Sequence, residues 1–418
     1  DSESGVGRGG TFEAPAGAAL VLDADTGEVV AMASYPTFEP EQFVGGVSQD
    51  YWDWLQAEES HFPLINRVIA GTYPPGSVYK IVSSAAALAY EFVEQDDYIA
   101  CPGSYEWGGN TYNNWHPEDE GSLNIAEALM RSCDTVYYAL ARQMFGAEAS
   151  TEAGEGYNER AYEAIESGEA PEIPFEYMSE MSREFGLDSP TGIDLPGERD
   201  GVVPGREWRF DYWLDAKENY CVQAQAAAPG SYASQLYTEL CNEGWLWRGG
   251  DLVNMSIGQG DLQMSPLQVA NMFAAVANRG PVMQPHVVRA VFDSSDQPVL
   301  VNEPTELHSV PVSSEDLAFI EQGLRMVTQD EDGTAYRPFS DLTIPIAGKT
   351  GTAENKPRQP YAWFGGYNLE PIGGQTYVVV SFVEEGGSGS GIAAPIVAQI
   401  FAGLTNQQVE LEAGEFTE

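Results

Sequence analysis

Lysine is nearly absent: Lys80, Lys217, Lys349 and Lys356 are the whole complement in 418 residues, although it is ordinarily among the commonest residues. Basic charge as a class is scarce. Nineteen Lys and Arg stand against 64 Asp and Glu, a formal net charge of −45. A polyanion of this size repels nucleic acid and anionic headgroups, which excludes nucleic acid as a partner. The acidity reads as a heavily hydrated surface suited to high salt, where counterions screen self-repulsion; the alternative is a surface that recruits a cationic partner. Long hydrophobic runs are missing too. No stretch of 18 apolar residues occurs, so no segment reads as a membrane-spanning helix. The opening run Asp1-Ser2-Glu3-Ser4-Gly5 is not a signal peptide, and any targeting or anchoring segment is expected to lie outside this sequence.

Aromatic residues are plentiful, with 9 Trp, 21 Tyr and 17 Phe, and they exclude disorder despite the charge. The four cysteines, Cys101, Cys133, Cys221 and Cys241, allow three complete pairings. Their spacing is not that of a zinc site, which takes close Cys/His pairs. Cys221 and Cys241 flank a Gly/Pro/Ser-containing stretch that a disulfide could close, in keeping with an extracytoplasmic setting; two buried free thiols are the other reading.

Hydrophobic periodicity places strands at both ends of the chain and helices between them. Ala18–Tyr35 reads as two strands around the turn Asp23–Gly27. Pro74-Pro75-Gly76 stops the chain, Ser77 sits where an N-cap belongs, and Ser77–Tyr90 is apolar enough for a helix buried almost all round. Leu123–Met130 and Thr135–Phe145 are two further helices, followed by Ser265–Asn278 and Ser313–Thr328. Residues 146–250 read as irregular connections with short helices such as Phe175–Phe185. Thr343–Ala347, Tyr361–Tyr367 and Thr376–Val383 are strands, and Ala394–Leu404 is a last helix. One antiparallel sheet flanked by helices, with a mainly helical subdomain beside it, is the α+β architecture expected. The boundaries follow: tails at 1–11 and 406–418, and one domain over 12–405. Its sheet part spans about 12–60 and 290–405, its helical part about 61–289.

Three short motifs carry chemistry. In Ser77-Val78-Tyr79-Lys80, a hydroxyl and an amine three residues apart share a helix face. Serine is a weak nucleophile until a base takes its proton. Lysine is such a base when burial and a second cation, here Lys349, lower its proton affinity. Ser132-Cys133-Asp134 lies between two helices, where the hydroxyl could relay a proton and the carboxylate hold a lysine or an amide; alone it would read as an ordinary cap. Lys349-Thr350-Gly351-Thr352 continues a strand. There Gly351 admits close backbone approach, an extended peptide could pair along the edge, and the Thr hydroxyls could bind a carboxylate.

S-x-x-K, S-x-[ND] and K-T-G in this order are the signature of penicillin-binding proteins and their β-lactamase cousins. Further stretches resemble class B penicillin-binding proteins: Leu20–Val29, Asn66–Ser77, Gly192–Glu198, Ser256–Gly260 and Ala362-Trp363-Phe364. Aspartate at 134 makes the chain most similar to the elongation-specific penicillin-binding protein 2 group. The resemblance implies the penicillin-binding protein transpeptidase fold and a D,D-transpeptidase that cross-links peptidoglycan stem peptides and is acylated by β-lactams. Ser77 would be the nucleophile, Lys80 its general base, Ser132 the proton shuttle, Asp134 the orienting carboxylate, and Lys349 the group keeping the site positive. Thr350, Gly351 and Thr352 would bind the substrate. Backbone N–H groups of Ser77 and Thr352 would form the oxyanion hole. No cofactor is implied. The implied partners are stem peptides, β-lactams and a membrane glycosyltransferase of the elongation machinery, at the extracytoplasmic face of a bacterial membrane.

Some members of that group carry a zinc site of Asp, His and Cys between the first two motifs. Asp97, Cys101 and His116 fall in the interval but not at a matching spacing, so no metal is expected. Region 146–200 has no E-x-x-x-N of the kind class A β-lactamases use to activate deacylating water. A D,D-carboxypeptidase and a β-lactam-sensing domain remain as alternatives.

Overall fold

Asp23 makes the first turn: its Oδ1 accepts from the N–H groups of Asp25 and Thr26, and Gly27 supplies the positive φ that closes it. The turn joins β1 (Ala16–Asp23) to β2 (Val29–Tyr35). The C-terminal part of the chain supplies β3 (Ile346–Ala353), β4 (Tyr361–Asn368) and β5 (Tyr377–Glu384). In this computed structural model, which describes residues 12–167 and 172–407, the five strands make one sheet in the order β3-β4-β5-β1-β2. All pairings are antiparallel. β1 therefore stitches the two ends of the chain together, pairing Leu20 with Val380 of β5 and with Met32 of β2.

Successive residues of a strand point to opposite faces, and both faces of this sheet are covered. The helices that matter are α1 (Lys80–Ala89), α2 (Ile125–Arg131), α3 (Asp134–Ala149), α4 (Arg206–Ala226), α5 (Tyr232–Glu243), α6 (Pro266–Ala277), α7 (Ser314–Gln329) and α8 (Ala394–Leu404). On one face Val21, Phe364 and Val379 pack with Val397 and Phe401 of α8. On the other Leu20, Leu22, Trp363 and Val380 join a core that includes Val82 of α1 and Phe273 of α6. Each such side chain, fully buried, contributes about 1.5–3 kcal/mol. α6 starts with a capping box between Ser265 and Gln268 and is buried from Pro266 to Val276.

Two expectations change. The strand expected to start at Thr343 begins at Ile346; it runs on to Ala353 through the Lys349–Thr352 motif, which was expected to continue it. Residues 146–250 are far more helical than their pattern suggests. α4 and α5 form a hairpin joined by a disulfide between Cys221 and Cys241, Cα atoms 4.8 Å apart. In α4 only Arg206 and Trp213 are buried, so no apolar stripe marks it in the sequence. The expected tails lie outside the described residues, except Asn406 and Gln407; Gln407 accepts hydrogen bonds from the N–H and hydroxyl of Thr343. Among the described residues no helix is long and apolar enough to cross a membrane.

One buried charge cluster holds the α4 hairpin to α3. Arg206 Nη1 donates to Glu148 Oε2 at 2.7 Å and to Glu176 Oε1 at 2.9 Å. Two carboxylates share one guanidinium out of water, and burial outweighs the pairing: the Glu148 carboxyl is pushed up to about 7, and Glu176 is raised as well. The sign follows from linkage. Between about pH 4.5 and 7 the unfolded chain releases a proton that the folded chain keeps, so stability falls as pH rises, by about 3 kcal/mol for Glu148 alone. Glu148→Gln is expected to raise the melting temperature at pH 8 and to lose that gain by pH 4.5. An equal effect at both pH values would contradict the reading. Surface charge yields a second expectation. Nineteen cations cannot pair with 64 carboxylates, so the melting temperature should rise as NaCl or KCl goes from low concentration toward molar. A flat or falling curve would show that the acidic surface is no liability in dilute buffer.

Candidate active site

Gly76 adopts φ +57, and a Cβ there would stand 2.6 Å from the carbonyl oxygen of Thr352. A Cβ on Gly351 would stand 2.7 Å from the carbonyl oxygen of Pro75. The turn before Ser77 and the edge strand β3 thus lie backbone against backbone, an approach that only glycine allows. Gly351 was expected to admit an approaching backbone, and the one it admits is the chain's own.

Ser77 is not an N-cap. Gly76–Tyr79 is a turn of 3-10 helix, and α1 begins at Lys80. In a 3-10 turn residues i and i+3 eclipse one another, so Ser77 and Lys80 are directed the same way even more closely than on an α-helix. Every residue from Lys80 to Leu88 is buried, as the apolar run implied.

Ser132 ends α2 and Asp134 begins α3, and the two-residue hinge between them forces Ser132 into the left-handed region at φ 57. Its hydroxyl then meets both buried lysines. Ser132 Oγ accepts from Lys80 Nζ at 3.1 Å and from Lys349 Nζ at 2.9 Å. Lys80 also donates to the Ser132 carbonyl at 2.5 Å and to Asp134 Oδ1 at 2.6 Å, and it lies 5.4 Å from the centre of the Tyr137 ring. Burial pushes the Tyr137 phenol well above its ordinary range, so the ring stays neutral. Lys80 and Lys349 are both fully excluded from solvent. Burial favours a neutral amine, whereas the Asp134 carboxylate favours an ammonium.

Lys349 belongs to β3, where Thr350 is fully buried and its hydroxyl is 2.8 Å from that of Thr334. Thr352 instead reaches the surface of a groove of about 690 Å³, together with Ser77, Ser132, Asp134, Trp115 and Gln259. Three distant segments therefore bring Ser77, Lys80, Ser132, Asp134, Lys349 and Thr352 to one place, and Thr350 and Gly351 sit behind that wall.

Several supporting residues were not singled out in the sequence. Asn114 Oδ1 accepts from the Asp134 N–H at 2.9 Å, and the Trp115 N–H donates to Asp134 Oδ2 at 3.2 Å. Gln259 Nε2 donates to the Thr352 carbonyl at 3.2 Å. Polar residues on short loops give no periodic signal; Gln259 lies within a stretch noted only for its resemblance.

Asp97, Cys101 and His116 do not form a potential metal-binding group among the described residues. Asp97 accepts instead from the Glu94 N–H, and the group that gathers among the described residues is Cys101, Glu120 and Cys133, with potential ligand atoms within 4.8 Å of one another. Cys101 and Cys133 are joined as a disulfide. Zinc takes thiolates, and bonded sulfurs are not thiolates, so this donor set does not fit the ion.

The penicillin binding protein transpeptidase domain family matches residues 17–402. The peptidoglycan D,D-transpeptidase MrdA of Acinetobacter baumannii is 29% identical over 342 residues, which are 81% of this chain and 41% of that protein. Its Haemophilus influenzae counterpart is 26% identical over 414 residues, covering 94% and 53%. The chain thus spans about half the length of these curated relatives. Among solved structures, Pseudomonas aeruginosa PBP2 in complex with WCK 5153 superposes with a TM-score of 0.69 at 27% identity, over 93% of this chain and 73% of that one. Helicobacter pylori PBP2 in complex with MreC gives 0.69 at 26%, over 93% and 60%. With the sheet, the three motifs and a match over nearly its whole length, the chain belongs to the penicillin-binding protein transpeptidase domain family, among its class B members.

Proposed function

We propose that this chain is the catalytic domain of a peptidoglycan D,D-transpeptidase. The observation that carries the reading is that Ser77 and Ser132 open on one groove, with the Ser132 hydroxyl between the buried amines of Lys80 and Lys349. Ser77 Oγ attacks the carbonyl of the penultimate D-Ala while Lys80 takes its proton. Backbone N–H groups of Ser77 and Thr352 hold the oxyanion. The proton travels through Ser132 to the departing D-Ala amine. A stem-peptide amine then attacks the acyl-enzyme, and its proton returns by the same route to Ser77. Asp134 orients Lys80, Lys349 keeps the site positive, and Thr352 binds the terminal carboxylate along β3 with Gly351 keeping the strand close; Thr350, expected to share that role, is buried behind the groove with its hydroxyl on that of Thr334. A β-lactam follows the first half of this course, its ring carbonyl standing in for the peptide bond.

The sheet part is assigned to about 12–60 and 290–405 and the helical part to 61–289. An extracytoplasmic site of action fits the two disulfides. A membrane glycosyltransferase is the proposed working partner; the complex of the Helicobacter pylori relative with MreC supports placing this domain in an assembly.

With a peptide ending in D-Ala-D-Ala and an amine acceptor, the protein is expected to release D-Ala and form the new amide. Ser77→Ala should lower this about 10⁴-fold or more, and Lys80→Arg, which cannot deprotonate, should abolish acylation without unfolding. Hydrolysis with no transfer to the amine would make the protein a carboxypeptidase. A lasting penicillin adduct without any peptide turnover would make it a sensor. Ser132 allows its hydroxyl and its backbone to be separated. Ser132→Ala and Ser132→Gly should lose acylation alike, but the alanine variant should be less stable by about 1 kcal/mol, because only glycine accepts φ 57 without strain. Near-normal acylation in either variant would remove Ser132 from the proton path.

A further inference from the structure

Cys133 stands between Ser132 and Asp134, and its sulfur is bonded to Cys101 across 32 residues of sequence. Cys101 opens an excursion whose base is closed by pairing of Ile99–Ala100 with Ser122–Leu123. The excursion returns to the acylation site at several points. Asn114 and Trp115 hold the Asp134 N–H and Oδ2, and the Pro102 carbonyl accepts from Thr135 Oγ1 at 2.9 Å. Asn114 is tied back to the bridge itself, its Nδ2 donating to Cys101 Sγ at 3.6 Å and to Glu120 Oε2 at 3.5 Å. Trp115 Nε1 donates to the carbonyl of Arg131, the residue before Ser132. Both cysteines are fully buried.

These contacts add to one covalent bond a set of hydrogen bonds about residues 131–135, one of which reaches the Asp134 carboxylate. Asp134 Oδ1 is the oxygen that accepts from Lys80. A hydrogen bond from a loop can be exchanged for one from water at little cost, so loop contacts alone fix Asp134 weakly. A buried covalent link fixes the distance between loop and motif.

We propose that the Cys101–Cys133 disulfide is a positioning element for acylation at Ser77, holding the Asn114–Trp115 loop on Asp134 and thereby Asp134 on Lys80. The inference rests on the transpeptidase reading for its kinetic consequence and on the structure alone for its geometric one. The second disulfide, Cys221–Cys241, lies in the α4–α5 hairpin and serves as the control.

The test compares Cys101→Ala/Cys133→Ala with Cys221→Ala/Cys241→Ala, each well below its own melting temperature, using a fluorescent penicillin. Removal of the first bridge is expected to slow the acylation step at least tenfold while the non-covalent affinity stays within about twofold; removal of the second should leave both unchanged. Combined with Asp134→Asn, the loss from the first bridge should shrink to little, because the two changes act on the same contact. An unchanged acylation step, or full additivity with Asp134→Asn, would overturn the proposal. Hydrogen exchange supplies a readout independent of catalysis: the amides of Trp115 and Asp134 should exchange at least tenfold faster without the bridge, and unchanged protection would equally overturn it. Should the double alanine variant not fold, the Cys221→Ala/Cys241→Ala protein, whose remaining bridge is Cys101–Cys133, is reduced with a water-soluble phosphine. The phosphine gives two electrons and leaves as its oxide, with oxygen and two protons from water, and the bridge becomes two thiols that a mass shift on alkylation counts. Failure of the unaltered protein to acylate at all would strike the transpeptidase reading; the exchange measurement would still decide the positioning role.

Discussion

The Ser132 hydroxyl is held between two lysine amines that no water reaches, and most of the architecture serves that contact. Lys80 comes from the first turn of a helix, Ser132 from a left-handed residue between two others, and Lys349 from an edge strand. No pair of these lies close in sequence. Packing two amines together inside a protein is costly unless their polar groups are met. One carboxylate, a hydroxyl and a carbonyl do this for Lys80; Lys349 reaches the same hydroxyl and the Thr350 carbonyl.

The sheet makes that geometry reproducible. β1 carries the N-terminal hairpin into contact with the C-terminal strands, and β3 is left at the edge where Gly351 and Gly76 bring the Ser77 turn onto its backbone. Close-packed interiors transmit small displacements, so the apolar layers of α6 and α8 fix where Lys349 stands relative to Lys80. The acidity has a different place in the molecule. It is spread over the surface, while two of the chain's four lysines are committed to the interior.

Apolar strands bounded by turn residues, capped helices such as α6 and α7, and the three motifs were readable because each follows a local rule. Ser265 before Pro266 and Ser313 before α7 announce their helices. α4 could not be read the same way, since a helix exposed on most sides carries no periodic stripe. The six site residues from Ser77 to Thr352 were readable as types at a spacing, but the carboxylate at 2.6 Å from Lys80 and the Asn114–Trp115 clasp depend on chain reversals that no local pattern encodes. The pairing of Cys101 with Cys133 was open among three for the same reason. Gly351 was identified as a position of close approach; which backbone approaches it is a tertiary fact.

The central claim is that these segments build one acylation centre with Ser77 as its nucleophile. Peptide mapping by mass spectrometry after reaction with benzylpenicillin tests it most directly. One adduct per chain, on the peptide containing Ser77 and fragmenting to that residue, is the expected result. An adduct on Lys80, on any other serine, or no adduct from folded protein would contradict the account.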